Sequence, residues 1–121
     1  MKKVLIIEDD PDIADILEMA LSDRYSLLIL NETSTLVRNL KDFLPDLILI
    51  DNYIGQIQAP EVIKQIKSFA AYQHIPFILF SGHYDIENVA KKIGASAYLA
   101  KPFELDDLYT CVDSVLTTIS L

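Results

Sequence analysis

The sequence predicts an α/β fold, a parallel sheet with helices on both faces, and three observations lead there. Five short apolar runs alternate with five longer segments that carry helical spacing. The runs at 4–7, 47–50 and 77–80 contain no polar residue, as expected of strands buried on both faces. Residues suited to chemistry follow the runs at once: Glu8-Asp9-Asp10, Asp51, Ser81-Gly82 and Lys101-Pro102. In an open parallel sheet the carboxyl ends of the strands line the crevice where ligands bind. Four short pieces, far apart in the chain, are thereby expected to meet at one edge.

Taken in order, strands are predicted over 3–8, 26–30, 46–51, 76–81 and 96–100, and helices over 11–22, 34–43, 60–71, 84–93 and 104–118. Ile13, Ile16, Leu17, Ala20 and Leu21 form the apolar stripe of the first helix. Leu36, Val37, Leu40 and Phe43 form the second, and Val62, Ile63, Ile66, Phe69 and Ala70 the third. The last helix repeats the pattern with Leu105, Leu108, Val112, Val115 and Leu116. Pro11 and Pro60 suit first helical turns, where a missing N–H costs nothing, and Gly94 reads as a C-terminal cap. Such βα repetition calls for right-handed crossovers and helices on both faces.

A chain of 121 residues, 51% hydrophobic and 23% charged, fits one globular domain, expected to cover 1–121. No apolar run approaches the ~18 residues of a membrane span, and the run at 4–7 is too short for a signal-peptide core. A cytoplasmic location is the expectation. The lone Cys111 cannot form an internal disulfide and falls in an apolar stripe, so it reads as packing. The net charge of −8, with scattered Lys and Arg, argues against direct nucleic-acid binding.

Each site residue has a plain reading beside the chemical one. Adjacent carboxylates repel unless a cation neutralises them or water solvates them. Glu8, Asp9 and Asp10 suit Mg²⁺, which takes one or two carboxylates plus phosphate oxygens; equally, Asp10 or Asp12 can cap the next helix. Asp51 can be a cap, a metal ligand or a nucleophile that forms an aspartyl-phosphate. The cap is the weaker reading, because the next helix begins only near Pro60. Ser81 can donate to a phosphoryl oxygen, with Gly82 leaving room for it, or simply begin a turn. Lys101 can set an ammonium on the same group, or be an ordinary surface lysine. Tyr98 lies among Ala95, Ser96, Ala97 and Ala100, where plain packing is sufficient. His74 and His83 show no metal-ligand spacing.

Four motifs, in order and spacing, resemble the receiver domain of two-component response regulators, a flavodoxin-like fold. They are Val-Leu-Ile-Ile-Glu-Asp-Asp-Pro-Asp, Pro-Asp-Leu-Ile-Leu-Ile-Asp ending at Asp51, Ile-Pro-Phe-Ile-Leu-Phe-Ser-Gly around Ser81, and Gly-Ala-Ser-Ala-Tyr-Leu-Ala-Lys-Pro-Phe around Lys101. The likeness implies five parallel strands in the order 2-1-3-4-5. It makes Asp51 the phospho-acceptor, Asp9 a direct Mg²⁺ ligand and Glu8 a ligand through water, with the backbone carbonyl of Tyr53 completing the protein ligands. It makes Ser81 and Tyr98 the switch hydroxyl and aromatic, makes Lys101 the phosphoryl-holding lysine, and implies a cis Lys101–Pro102 bond. The implied donor is a sensor histidine kinase or a phosphotransfer protein. The implied output is a protein partner on the face of the fourth helix, fifth strand and fifth helix, with homodimerisation on activation as a further outcome.

Two departures stand in the loop after Asp51, where the family usually places proline four residues on and glycine eight on. Here those positions hold Gly55 and Ala59, so a looser loop is expected. In the family, the residues two beyond the acceptor and two beyond the switch hydroxyl flank the hydrolytic water. Tyr53 and His83, which hold those places, are poorly suited to orient it, so slow autodephosphorylation is expected.

Rival functions fit less well. A phosphatase of the haloacid-dehalogenase type resembles a pair Asp-x-Asp, and Tyr53 stands at the second place; turnover of external substrates is therefore not expected. A flavodoxin needs a phosphate loop rich in Ser, Thr and Gly where this chain puts three acids. A phosphorylation-independent interaction module of the same fold is the remaining alternative.

Overall fold

The computed structural model, described for residues 1–82 and 84–119, places β1 (Lys3–Ile7), β2 (Ser26–Leu30), β3 (Leu47–Asp51), β6 (Phe77–Ser81) and β7 (Ala97–Ala100) in one sheet. The order is β2-β1-β3-β6-β7 with every pair parallel, which is the expected 2-1-3-4-5. Between β3 and the third helix lies a small antiparallel hairpin of β4 (Tyr53–Ile54) and β5 (Ile57–Gln58). The helices are α1 (Pro11–Leu21), α2 (Leu36–Phe43), α3 (Ala59–Lys67), α4 (Ile86–Ile93) and α5 (Leu105–Ile119).

Strand alternation divides the core into two layers. Leu5, Ile7, Ile48, Ile50, Phe77 and Leu79 face α2, α3 and α4 through Leu36, Leu40, Val62, Ile63, Ile66, Ile86 and Ala90. Val4, Ile6, Leu47, Leu49, Ile78 and Phe80 face α1 and α5 through Leu17, Leu21, Leu108, Val112, Val115 and Leu116. Burying one such side chain contributes ~1.5–3 kcal/mol, so the two layers fix the register of the central strands. A one-residue slip would exchange the two sets. The edge strands β2 and β7 are only partly covered.

Helix ends follow local chemistry. Asp10 caps α1, its Oδ1 accepting from the Asp12 and Ile13 N–H groups at 2.9 and 3.4 Å. Pro11 and Pro60 stand in first helical turns, and Gly94 caps α4 in the left-handed conformation at φ 80°. Leu44 performs the same duty for α2 at φ 51°, a conformation costly for a side chain with a Cβ.

The third helix is shorter than the stripe predicts. Ser68 ends it at Lys67, its Oγ donating to the Gln65 carbonyl at 2.6 Å, and a 3₁₀ turn follows over Ala70–Tyr72. Phe69 and Ala70 are therefore exposed, and Phe69 packs on Tyr72 at 5.9 Å between ring centres. Ile16, at the margin of the buried face of α1, and Leu105, the first residue of α5, are half exposed although both fall in the predicted stripes.

Candidate functional site

The carboxyl ends of β1, β3, β6 and β7 carry the four expected pieces to one rim. Glu8 extends β1, and its N–H donates to the Leu30 carbonyl of β2 at 3.0 Å. Asp51 closes β3, and Ser81 closes β6 opposite Ala100. The Lys101 N–H donates to the Ser81 carbonyl at 2.9 Å, which continues the ladder by one residue and fixes where the lysine leaves the sheet. The Lys101–Pro102 peptide is cis.

Glu8, Asp9 and Asp51 each offer a carboxylate oxygen within 4.8 Å of the others. Lys101 Nζ lies 3.3 Å from Glu8 Oε1 and 3.2 Å from Asp51 Oδ1, bridging the two acids. The same ammonium lies 4.8 Å from the centre of the Phe80 ring, which holds it above the apolar layer. Glu8 is 1% exposed, and its Oε2 is buried without a hydrogen-bond donor. Burial first, then the Asp51 charge, raise the Glu8 carboxyl to about 7, against the lowering effect of Lys101. One lysine leaves this three-acid cluster with more negative than positive charge, and the orphaned buried oxygen of Glu8 keeps its lone pairs free to accept from a donor such as a cation-bound water. The donor set therefore fits a hard divalent cation.

Ser81 is buried, and strand alternation puts it on the same sheet face as Leu79 and, across the register, Tyr98. Tyr98 is 41% exposed at the sheet edge, so it is not core. Asp10 belongs to the helix cap and not to the acid cluster. Cys111 is half-buried, and burial pushes its thiol up, consistent with packing. His74 is exposed, and His83 lies outside the described residues.

The segment between Asp51 and Pro60 differs from the loose loop expected of it. Its hairpin pairs Tyr53 with Gln58 and Ile54 with Ile57; Ile54 is buried, and Gln58 Nε2 donates to the Tyr53 hydroxyl at 3.3 Å. The Asn52 carbonyl accepts the Ala59 N–H at 2.8 Å, which closes the hairpin onto α3. The Gly55 N–H donates to Asp9 Oδ2 at 2.8 Å, a contact that sequence reasoning missed. The signal was the span Ile54-Gly55-Gln56-Ile57, a glycine between two β-formers, as in a two-residue hairpin turn.

A five-stranded parallel sheet in the order 2-1-3-4-5 with helices on both faces and this acid–lysine cluster on its carboxyl rim is a flavodoxin-like α/β fold. Within it, the chain belongs to the response regulator receiver domain family, which matches residues 4–113. The typical role of that family is phosphorylation-based two-component signalling. The chain is 27% identical over 117 residues to the chemotaxis protein CheY of Halobacterium salinarum, covering 96% of this chain and 98% of that protein. It is 27% identical over 117 residues to hybrid signal transduction histidine kinase D of Dictyostelium discoideum, covering 94% of this chain and 8% of the relative. Among solved structures, the signal receiver domain of a signal transduction histidine kinase from Syntrophus aciditrophicus superposes with a TM-score of 0.85. That domain is 25% identical, with 98% of this chain and 92% of that one covered. The chain thus spans nearly the whole of some relatives and a small fraction of others. Among the described residues, no helix is long and apolar enough to cross a membrane.

Proposed function

We propose that residues 1–121 act as one receiver domain that accepts a phosphoryl group on Asp51 and thereby switches a protein-binding surface. The observation that carries this reading is the Lys101 ammonium, held between Glu8 and Asp51 at 3.3 and 3.2 Å on the carboxyl rim. The Asp51 carboxylate oxygen attacks the phosphorus of a phosphohistidine. The new P–O bond forms as the P–N bond breaks, and the electron pair returns to the imidazole nitrogen of the donor.

Glu8, Asp9, Asp51 and the Tyr53 carbonyl are the residues that would hold Mg²⁺, Asp9 directly and Glu8 through water. The ion supplies positive charge that screens the repulsion between carboxylate and phosphoryl group. Lys101 exchanges its carboxylate partners for the phosphoryl oxygens, and Ser81 donates to the same group. Tyr98, now exposed, turns inward behind Ser81. This biases the α4–β7–α5 surface between two pre-existing states. The donor is a histidine kinase or phosphotransfer protein, and the receiver turns over no external substrate. A groove of about 360 Å³ lined by Ile13, Ile16, Lys101, Pro102 and Phe103 gives such a donor an apolar footing beside the site. Output is by protein contact, to a downstream partner or a second copy, in the cytoplasm.

Acetyl phosphate with Mg²⁺, followed by intact mass, tests the reading. One phosphoryl addition that needs Mg²⁺ and vanishes in Asp51→Asn is expected. Equal labelling of Asp51→Asn refutes the acceptor assignment. No labelling of the wild type by either acetyl phosphate or a phosphohistidine donor leaves the phosphorylation-independent module as the better account.

A further inference from the structure

We propose that the backbone amide of Gly55 is a positioning group for the cation site, orienting the Asp9 carboxylate and tying the β4–β5 hairpin to occupancy of that site. The inference rests on the Mg²⁺ reading above and adds a residue to it. Ile54 and Ile57 are paired, so Gly55 and Gln56 form a two-residue turn. Gly55 has φ 62°, and Gln56 is not among the residues of positive φ. That combination is a type II′ turn with glycine at its first central place. The hydrogen bonds of such a hairpin use the flanking pair, which leaves the N–H of the first central residue unspent. Here that N–H reaches back across 46 positions of sequence to Asp9 Oδ2 at 2.8 Å.

A Cβ at position 55 would meet nothing within 4 Å, so the backbone conformation, and not space, calls for glycine. Asp9 itself is exposed and lies outside any strand or helix. Without the amide its carboxylate would rotate freely, and ordering it would weaken cation binding. A carboxylate has lone pairs enough to accept one N–H and still ligate a cation. Hydrogen bonds to ligating carboxylates are what orient them, and their loss costs ~10–100-fold in affinity. The same hairpin begins at Tyr53, whose carbonyl is the fourth proposed ligand. One two-strand unit therefore delivers a ligand and the clamp on another.

The test replaces the Ile54–Gly55 amide by an ester through semisynthesis, which deletes that N–H and leaves the side chains untouched. Mg²⁺ affinity is measured by calorimetry beside the wild type and a semisynthetic D-alanine replacement of Gly55, which keeps the N–H and suits the positive φ of a type II′ turn. About a tenfold loss is expected for the ester and less than threefold for the D-alanine replacement, while the metal-free melting temperature of the ester, which a purely structural role would lower, stays close to that of wild type. In wild type the Gly55 amide proton is expected to exchange more slowly as Mg²⁺ saturates, and faster in metal-free Asp9→Ala. An ester that binds Mg²⁺ as tightly as wild type overturns the clamp and leaves the cation site standing. Gly55 exchange that accelerates on Mg²⁺ binding also overturns it, even where the ester fails to fold. Absence of Mg²⁺ binding by wild type overturns the cation site and the clamp with it.

Discussion

Glu8→Gln should flatten a pH dependence that the wild-type fold carries in its metal-free state. The Glu8 carboxyl, 1% exposed, sits beside Asp51 with one oxygen lacking any donor. Burial and the Asp51 charge raise it from 4.5 to about 7. A carboxyl raised by folding binds its proton more tightly in the folded state, so stability falls as pH climbs from the unfolded value through the folded one. At ~1.4 kcal/mol per pKa unit, the full effect is about 3.5 kcal/mol, of which roughly 2.5 kcal/mol falls between pH 5 and pH 8. For a domain of this size that is a change on the order of 10 °C in melting temperature. The assay is thermal unfolding in EDTA across that pH range, for wild type and Glu8→Gln together. The difference cancels the titration common to both, including repulsion among the other acids of a chain with net charge −8. The wild type should lose stability relative to Glu8→Gln as pH rises. Parallel curves from pH 5 to pH 8 would refute the account of Glu8 as a buried, charge-starved carboxyl. Saturating Mg²⁺ should abolish the relative loss, because a cation beside Glu8 favours its charged form.

Mg²⁺ should raise the melting temperature by ligand linkage, and Asp9→Asn should remove most of that gain; equal gains in both would remove Asp9 from the site. Lys101→Ala should still gain one phosphoryl group by intact mass but fail to shift the NMR signals of the α4–β7–α5 face; an unaltered response would deny the lysine its role in reading the new charge. Tyr53→Asn should release the phosphoryl group faster than wild type in a hydrolysis time course, since the exposed Tyr53 ring, tethered to Gln58, stands two residues from Asp51; an unchanged lifetime would make Tyr53 a surface contact only. Tyr25, whose hydroxyl donates to Asp113, is raised to about 12, by burial first and then by that partner. Wild-type stability should therefore fall above pH 10, where the unfolded chain ionises first, and Tyr25→Phe should lack that alkaline limb in urea titrations.

The alternation of strands and helices, the parallel sense of the sheet and the rim where chemistry collects are legible in one dimension, whereas the strand order 2-1-3-4-5 follows only from the family resemblance. Strands buried on both faces need unbroken apolar runs, and the residue ending each run must sit at the carboxyl edge. The pattern alone thus places Glu8, Asp51, Ser81 and Lys101 together. Helix stripes were legible only where periodicity was unopposed. Phe69 and Ala70 continue the third stripe in sequence, yet the Ser68 hydroxyl bonds back to the Gln65 carbonyl and ends the helix before them.

What the tertiary structure alone decided is which acid is starved of charge and which is held. Glu8 and Asp9 are neighbours of the same chemical type. One is buried against Asp51 with a donorless oxygen, whereas the other is exposed and accepts the Gly55 amide from 46 residues away. Likewise, the departure at Gly55 suggests slack when read along the chain. Folded, its positive φ turns a hairpin and frees an N–H for Asp9. Sequence fixes which groups reach the rim, because strand length and hydrophobic period are local. Their desolvation and their hydrogen-bond partners depend on elements that meet only when the whole sheet has assembled, and no local pattern encodes them.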